Sequence, residues 1–327
     1  MALQQILPCG IDPAYGVPYS FVFLIFATSL HNWNLPLMRH LFLAVFFALV
    51  LAVIPSSAQE SAYFVTYDHH LEEPGNLEIA LSSNLGVPRS GQQAFFAPYL
   101  ELEYGLTSWW TSELYLEGQK TRGDSTVFTG WRIENRFRPP AREHPINPVF
   151  YIEYESINEA SKIQKEVVGN APEYGETNDE LRKENAHELE FKLILSGNAG
   201  DWNIAGNIIA EKNLSEDEGV EFGYSLGLSR PLATLASAGE CRFCPENFIV
   251  GAELYGGLGS TQRFGLHDTA QYLAPVVSWQ IGDSSALRFS PGIGLISGSS
   301  AMLVRFGWGY EFHGLGRRAA GSDGGGR

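Results

Sequence analysis

Apolar and polar residues alternate along much of this chain, and this period-two pattern constrains the fold more than any other feature of the sequence. The runs over 77–82 and 100–104 place apolar side chains at every second position, with charged or small residues between them, and the run over 132–137 places Arg132, Glu134 and Arg136 at every second position. Successive side chains of a β-strand point to opposite faces. Each run therefore predicts a strand with one apolar and one polar face, and the chain as a whole is predicted to be all-β.

The length and the charge of these strands favour a membrane barrel. Strands of about ten residues with apolar side chains outward and charged side chains inward suit a transmembrane barrel. Aromatic residues near strand ends, such as Trp109, Trp110 and Trp308, fit interfacial girdles. A soluble secreted β-protein with buried aromatic residues is the alternative. We predict a single antiparallel transmembrane β-barrel of about 12 strands. The expected strands are 76–84, 94–105, 110–119, 127–138, 149–158, 186–197, 201–212, 219–230, 247–257, 269–281, 286–296 and 301–312.

The start of the chain is expected to be an export leader. Met38-Arg39-His40 precedes an uncharged apolar run over 41–54, and small residues end at Ala58, the layout of a secretory signal peptide. Residues 1–37 precede this signal and suggest a start codon assigned too early, or else an extended signal or a first transmembrane helix. The expected organisation is a leader over 1–58, a periplasmic segment over 59–74, an outer-membrane barrel over 75–312 and a disordered tail over 313–327.

The charge balance limits the partners of the protein. The formal net charge is −15, and the leader contributes only Asp12 and Arg39, so the surplus of acidic residues belongs to the exported part. The sequence lacks the excess of basic residues that is typical of nucleic-acid-binding proteins. The expected partners are membrane lipid, a small-molecule solute and the barrel-assembly machinery. No cofactor is expected.

Connection lengths predict which loops face outward. With the N-terminus in the periplasm, every second connection between strands should be periplasmic. Three of the five connections expected on the periplasmic side are short. The longest connection, Asn158–Asn185, belongs to the outward set and is rich in acidic residues. A solvated loop is the simplest interpretation; a ligand or ion trap is the alternative. Cys241 and Cys244 lie in a periplasmic connection, where oxidising conditions predict a local disulfide rather than a redox-active pair.

The inward faces are the chemically rich surface of the predicted barrel. Charges facing hydrocarbon are costly, so the charged side chains of each strand should line the lumen. They could form a salt-bridged filling or a constriction that selects solutes. The expected lumen-lining residues are Glu101, Glu103, Glu113, Glu117, Arg132, Glu134, Arg136, Glu153, Glu155, Glu188, Glu190, Lys192, Glu253, Arg288 and Arg305.

Enzymatic and metal sites are less favoured by the sequence. An outer-membrane lipid hydrolase needs a serine activated by a histidine on the outer wall, and the loose grouping of His267-Asp268 near Ser260 has the wrong order. His69 and His70 could bind a metal weakly, but a periplasmic segment without that role is simpler. We predict no catalytic residues and no metal.

Two stretches resemble a known family. The turn Tyr104–Trp110, which reads Tyr-Gly-Leu-Thr-Ser-Trp-Trp between two alternating strands, and the run Gly251–Tyr255 resemble outer-membrane barrels of the transporter group associated with the phenol-degradation meta pathway. The resemblance covers roughly 75–312, departs from the family in the tail after Phe312, and implies a channel for small, often aromatic, solutes. It implies no catalytic residues.

The sequence therefore predicts an outer-membrane channel for passive passage of a small solute through an acidic lumen. A non-conducting structural or interaction barrel that presents the 158–185 loop is the alternative, and a lipid hydrolase is the least favoured.

Overall fold

The protein is a closed antiparallel β-barrel of twelve strands. The computed structural model describes residues 61–89, 91–139, 142–163, 167–171, 175–217, 219–235 and 241–315, so the predicted leader and most of the predicted tail lie outside the described residues. A short helix, α1 (Asn178–Leu181), lies between the fifth and sixth strands. The strands are β1 (Leu77–Val87), β2 (Phe95–Thr107), β3 (Trp110–Thr121), β4 (Thr126–Phe137), β5 (Asn147–Asn158), β6 (Asn185–Ala199), β7 (Trp202–Asn213), β8 (Glu221–Pro231), β9 (Phe248–Ser260), β10 (Gln271–Gln280), β11 (Ser285–Gly294) and β12 (Met302–Phe312).

The first and last strands close the barrel. Each strand pairs with its sequence neighbours, and β1 pairs with β12 from Leu77 opposite Phe312 to Val87 opposite Met302. Closure leaves no sheet edge with unpaired backbone groups. The predicted fold class and strand number are confirmed, and the observed strand ends differ from the predicted ones by a few residues.

Alternation sorts the side chains to the two sides of the wall. On β1, Glu78, Ser82 and Asn84 are buried inside, whereas Leu81 and Leu85 are exposed outside. The same division continues around the ring, so the outer surface is apolar although the chain carries a large net charge. Exposed apolar side chains of this outer surface include Leu116, Ile133, Phe150, Phe191, Ile204, Ile208, Leu226, Leu228 and Leu273.

The two ends of the barrel have different connections. We call the end at which β1 begins the N-terminal rim, and the other end the opposite rim. The turns Thr107–Trp110 and Ala199–Trp202 lie at the N-terminal rim, and the long connection that contains α1 lies at the opposite rim. Among the described residues, no helix is both long and apolar enough to cross a membrane.

The outward position of Leu116, in the middle of β3, generates a prediction. Leu116→Arg should destabilise the barrel in lipid by about 2–4 kcal/mol, because it exposes a cation to hydrocarbon near the middle of the bilayer. The measurement is the urea midpoint of the protein refolded into lipid vesicles, followed by heat-dependent gel mobility. Leu116→Ile is the matched control and should fold normally. Equal folding of both variants would show that this face does not contact hydrocarbon.

Candidate functional site

The interior of the barrel is the candidate site, because charged side chains from most strands meet there. All fifteen predicted lumen-lining residues are buried or half-buried. They lie on β2 to β6, β9, β11 and β12, at the positions that alternate with the exposed apolar ones. Arg132, Lys192 and Arg288 are half-buried.

Two arginines of β4 organise the carboxylates of one side of the wall. The Arg136 guanidinium lies 2.5 Å from a Glu103 oxygen and 3.2 Å from a Glu134 oxygen, and it also contacts Glu113. Arg132 lies 2.7 Å from Glu117 and 3.1 Å from Glu153. Each guanidinium thus faces more than one carboxyl group, so acidic side chains outnumber basic ones in this part of the wall.

A second group of carboxylates lies further around the wall, on β5 to β7. Oxygens of Glu155, Glu188 and Glu211 lie within 4.8 Å of one another, and so do those of Glu153, Glu155 and Glu190; all five residues are buried. Lys192 lies 2.7 Å from Glu190. Like charges this close disfavour one another's ionised form, so the Lys192 ammonium beside Glu190 stabilises the group.

The lumen is occupied by the chain that precedes β1. Residues 61–73, which we call the luminal segment, were predicted to be a periplasmic segment but lie inside the barrel, against the inner faces of β4 to β9, β11 and β12. Ala62, Tyr63, Thr66 and His69 are buried.

Glu253 on β9 holds the middle of the luminal segment. Its carboxylate accepts three backbone N–H groups, from Phe64 at 3.1 Å, Val65 at 2.8 Å and Thr66 at 2.7 Å. Hydrogen bonds to an ionised acceptor are stronger than those between neutral groups. One buried carboxylate therefore satisfies three backbone donors that no strand partner could reach.

Neighbouring residues fix the rest of the segment. The Asn207 side chain accepts from the Tyr67 N–H at 2.7 Å and donates to the Tyr67 carbonyl at 2.9 Å, so its amide pairs with the backbone as a strand would. The Tyr67 hydroxyl donates to Glu134 at 2.8 Å. At Gly227, a Cβ would lie 2.8 Å from the Tyr63 ring, so glycine is required there to admit the ring. The segment and the wall are therefore complementary in shape and in hydrogen bonding.

Part of the barrel's own chain also covers the opposite rim. Part of the connection after β5 turns inward: Ala160 and Val168 are buried, and the Lys162 N–H donates to Gln119 of β3 at 3.0 Å. Val168 and Gly169 pair with β8 and β9. The predicted solvated loop therefore contributes its first half to the interior.

A cavity of about 430 Å³ remains between the luminal segment and the wall. Both aromatic and charged side chains line it, and the charged ones include acids and bases. The lining includes Tyr63, Phe64, Tyr67, Tyr99, Glu101, Glu103, Glu113, Tyr115, Arg132, Arg136 and Arg288.

Burial also shifts the pKa values of groups outside the strands. Burial and the nearby Glu311 carboxylate together raise the pKa of Glu72 to about 8. Burial lowers the pKa of Lys162, although the carboxylate of Asp124 acts in the opposite direction. The N-terminal rim is therefore less negative near neutral pH than the count of glutamates suggests.

Several contacting residues were not identified from the sequence. Asn207 and Ser196 are inward residues of β7 and β6 that hold the luminal segment. Period-two alternation places both on the inner face, but nothing in the sequence pairs them with residues more than a hundred positions away. Cys241 and Cys244 are joined by a disulfide in the connection after β8.

Known structures offer similar barrels at low sequence identity. No protein-family model and no curated protein sequence matches this chain. An outer membrane channel from Pseudomonas putida F1 is 12% identical, with a TM-score of 0.49, over 75% of this chain and 98% of that chain. The KdgM porin is 11% identical, with a TM-score of 0.46, over 72% of this chain and 99% of that chain. The CymD monoaromatic hydrocarbon channel is 9% identical, with a TM-score of 0.39, over 75% and 90% of the two chains.

The contacts of Glu253 generate a prediction. Glu253→Gln should speed amide hydrogen exchange in a peptide that covers 61–67, because removing the charge weakens three hydrogen bonds by roughly 1–3 kcal/mol in total. Exchange is read by mass spectrometry of the folded protein in detergent. The control, Glu221→Gln, changes a carboxylate near the opposite rim and should leave that peptide unchanged. Unaltered exchange in the Glu253 variant would mean that the carboxylate does not hold the segment.

Proposed function

We propose that this protein is an outer-membrane channel that passes small cationic or neutral solutes beside its luminal segment. The observation that carries the proposal is a closed barrel whose outside is apolar and whose inside is lined by acidic and basic side chains. A closed barrel satisfies all its wall hydrogen bonds within the sheet, which a membrane-spanning structure requires. An apolar outer face of this extent would be unfavourable in water.

The preference for cations follows from the composition of the inner wall. Ten of the fifteen predicted lining residues are glutamates and five are basic. A lining of one sign within low-dielectric walls raises the local concentration of the opposite charge. The arginines on β4 lie among carboxylates and so offer little attraction to an anionic solute.

The route of the solute is the cavity beside the luminal segment. Its volume of about 430 Å³ lies within the range of about 300–1,000 Å³ common for small-molecule sites. Tyr99, Tyr115 and Tyr67 supply aromatic faces next to the charged groups, a combination that suits cations through cation–π contact. Larger solutes would require displacement of the luminal segment.

Two other functions remain as alternatives. A non-conducting interaction barrel would use the second half of the connection after β5, including exposed residues near α1. A lipid hydrolase has one supporting observation: Ser284 Oγ lies 3.2 Å from His313 Nε2, and His313 Nδ1 lies 3.0 Å from Glu311. This is the order of a Ser-His-Glu triad, but Ser284 is buried at the N-terminal rim instead of on the apolar outer wall.

Selectivity tests the channel. In planar bilayers with a salt gradient, the unmodified protein should conduct and prefer cations. The double variant Glu101→Gln and Glu103→Gln should lower the cation-to-anion permeability ratio by roughly two-fold, and more at low salt, where screening is weaker. Glu180→Gln, on exposed α1, is the control and should leave the ratio unchanged. A protein that assembles but never conducts would favour the interaction barrel.

Covalent labelling tests the hydrolase. We expect a fluorophosphonate probe to leave the folded protein unlabelled, because the buried Ser284 hydroxyl is not accessible to lipid. Label that appears in the unmodified protein and disappears in Ser284→Ala would instead support a serine hydrolase at this rim.

A further inference from the structure

Two adjacent histidines of the luminal segment meet a glutamate of the β4–β5 connection at the N-terminal rim. One ring nitrogen of His69, one of His70 and an oxygen of Glu143 lie within 4.8 Å of one another. The two rings are 4.3 Å apart between centroids. The three residues thus bring two imidazoles and a carboxylate close together, although Glu143 lies 73 positions after His70 in the chain.

Both histidines have one ring nitrogen already engaged. His69 Nδ1 lies 2.6 Å from Ser196 Oγ, and His70 Nδ1 lies 3.0 Å from Asp68 Oδ1. When Nδ1–H donates to an oxygen, the lone pair of Nε2 is left to bind a metal. This is the arrangement in which outer partners orient metal-binding histidines and fix their tautomer.

The contact between His69 and Glu143 has the geometry of two ligands of one cation. His69 Nε2 is fully buried and faces a Glu143 oxygen at 3.5 Å. When Ser196 Oγ accepts from His69 Nδ1–H, Nε2 and the Glu143 oxygen are both acceptors, and a cation between them removes their repulsion. A separation of 3.5 Å is longer than an ordinary N–H···O hydrogen bond. It matches the distance of about 3.3–3.5 Å between two ligands that bind one tetrahedral zinc ion at about 2.0–2.1 Å.

The backbone around these side chains is held in place. Arg138 donates to the His69 carbonyl at 3.1 Å, and Arg136 donates to the His70 carbonyl at 3.3 Å. Beside Glu143, the backbone of His144 exchanges two hydrogen bonds of 2.8 Å with the Asn147 side chain. Both halves of the cluster are therefore positioned by contacts that do not depend on the three ligand side chains.

We propose that His69, His70 and Glu143 form a binding site for one divalent transition-metal ion, with zinc as the best match. Two imidazoles and one carboxylate are a common zinc ligand set that leaves a fourth position for water, and imidazole favours such metals over calcium or magnesium. The bound ion would join the luminal segment to the β4–β5 connection. Binding itself does not depend on the channel function; only an effect on conductance would.

Calorimetry on the chelator-treated full protein in detergent, without a polyhistidine tag, tests the site. Titration with zinc chloride should give one tight site per barrel. Glu143→Gln, a change at an exposed side chain, should weaken binding at least roughly ten-fold, and Ser196→Ala should weaken it within the roughly 10–100-fold range of outer partners. The matched control is His144→Ala, which alters the next residue and should bind as the unmodified protein does.

Two further measurements separate this site from adventitious binding to the acidic wall. Cobalt(II) should give the visible absorption of a tetrahedral nitrogen–oxygen site, and this signal should be lost in His70→Gln. Zinc should also slow hydrogen exchange across the luminal segment, whether or not the protein conducts. The proposal is overturned if zinc does not bind, or if it binds equally to the Glu143 and His70 variants.

Discussion

The hydrogen bonds between β1 and β12 are the interaction on which the rest of this structure depends. They run from Leu77 opposite Phe312 to Val87 opposite Met302 and remove the two edges that a twelve-stranded sheet would otherwise expose. Once the sheet is closed, every strand has an inside and an outside. The strict alternation of the sequence then divides the molecule into an apolar outer wall and a charged interior.

The charged side chains inside the barrel need partners for their charges and hydrogen bonds. In this protein the partners are oppositely charged side chains and backbone N–H groups. Arg132 and Arg136 each bridge several carboxylates of the wall. Glu253 is satisfied differently, by three N–H groups of the luminal segment. The segment in turn needs such acceptors, because a single extended chain inside a barrel has no strand partner for its backbone. The polar side chains of the wall and the backbone groups of the luminal segment therefore serve as hydrogen-bond partners for each other.

The two rims are closed by chemically different means. At the opposite rim, Val168 and Gly169 pair with β8 and β9, and Val167 and Ala171 pack against a buried cluster that includes Tyr255 and Tyr272. At the N-terminal rim, polar and titratable side chains gather, among them His69, Glu72 and Glu311.

The sequence by itself determined the class of fold and the number of strands, and its alternation predicts which side chains of each strand face inward. Period-two alternation is a local property of the sequence. The face of the strand on which a residue such as Glu101 or Leu116 lies can therefore be predicted without knowing its distant partners. The disulfide of Cys241 and Cys244 is local in the same sense, because the two residues are only three positions apart.

Only the tertiary structure decided what fills the barrel. Residues 61–73 have no strand pattern and read as a simple leading segment, yet Asn207 and Glu253 hold them within the lumen. Likewise, no spacing in the sequence links His69 to Ser196 and Glu143. These contacts depend on the curvature of the closed sheet, which brings strands far apart in the chain around one interior. The alternation of the sequence determines which face of the strand a side chain is on, whereas closure of the barrel determines which residues it contacts.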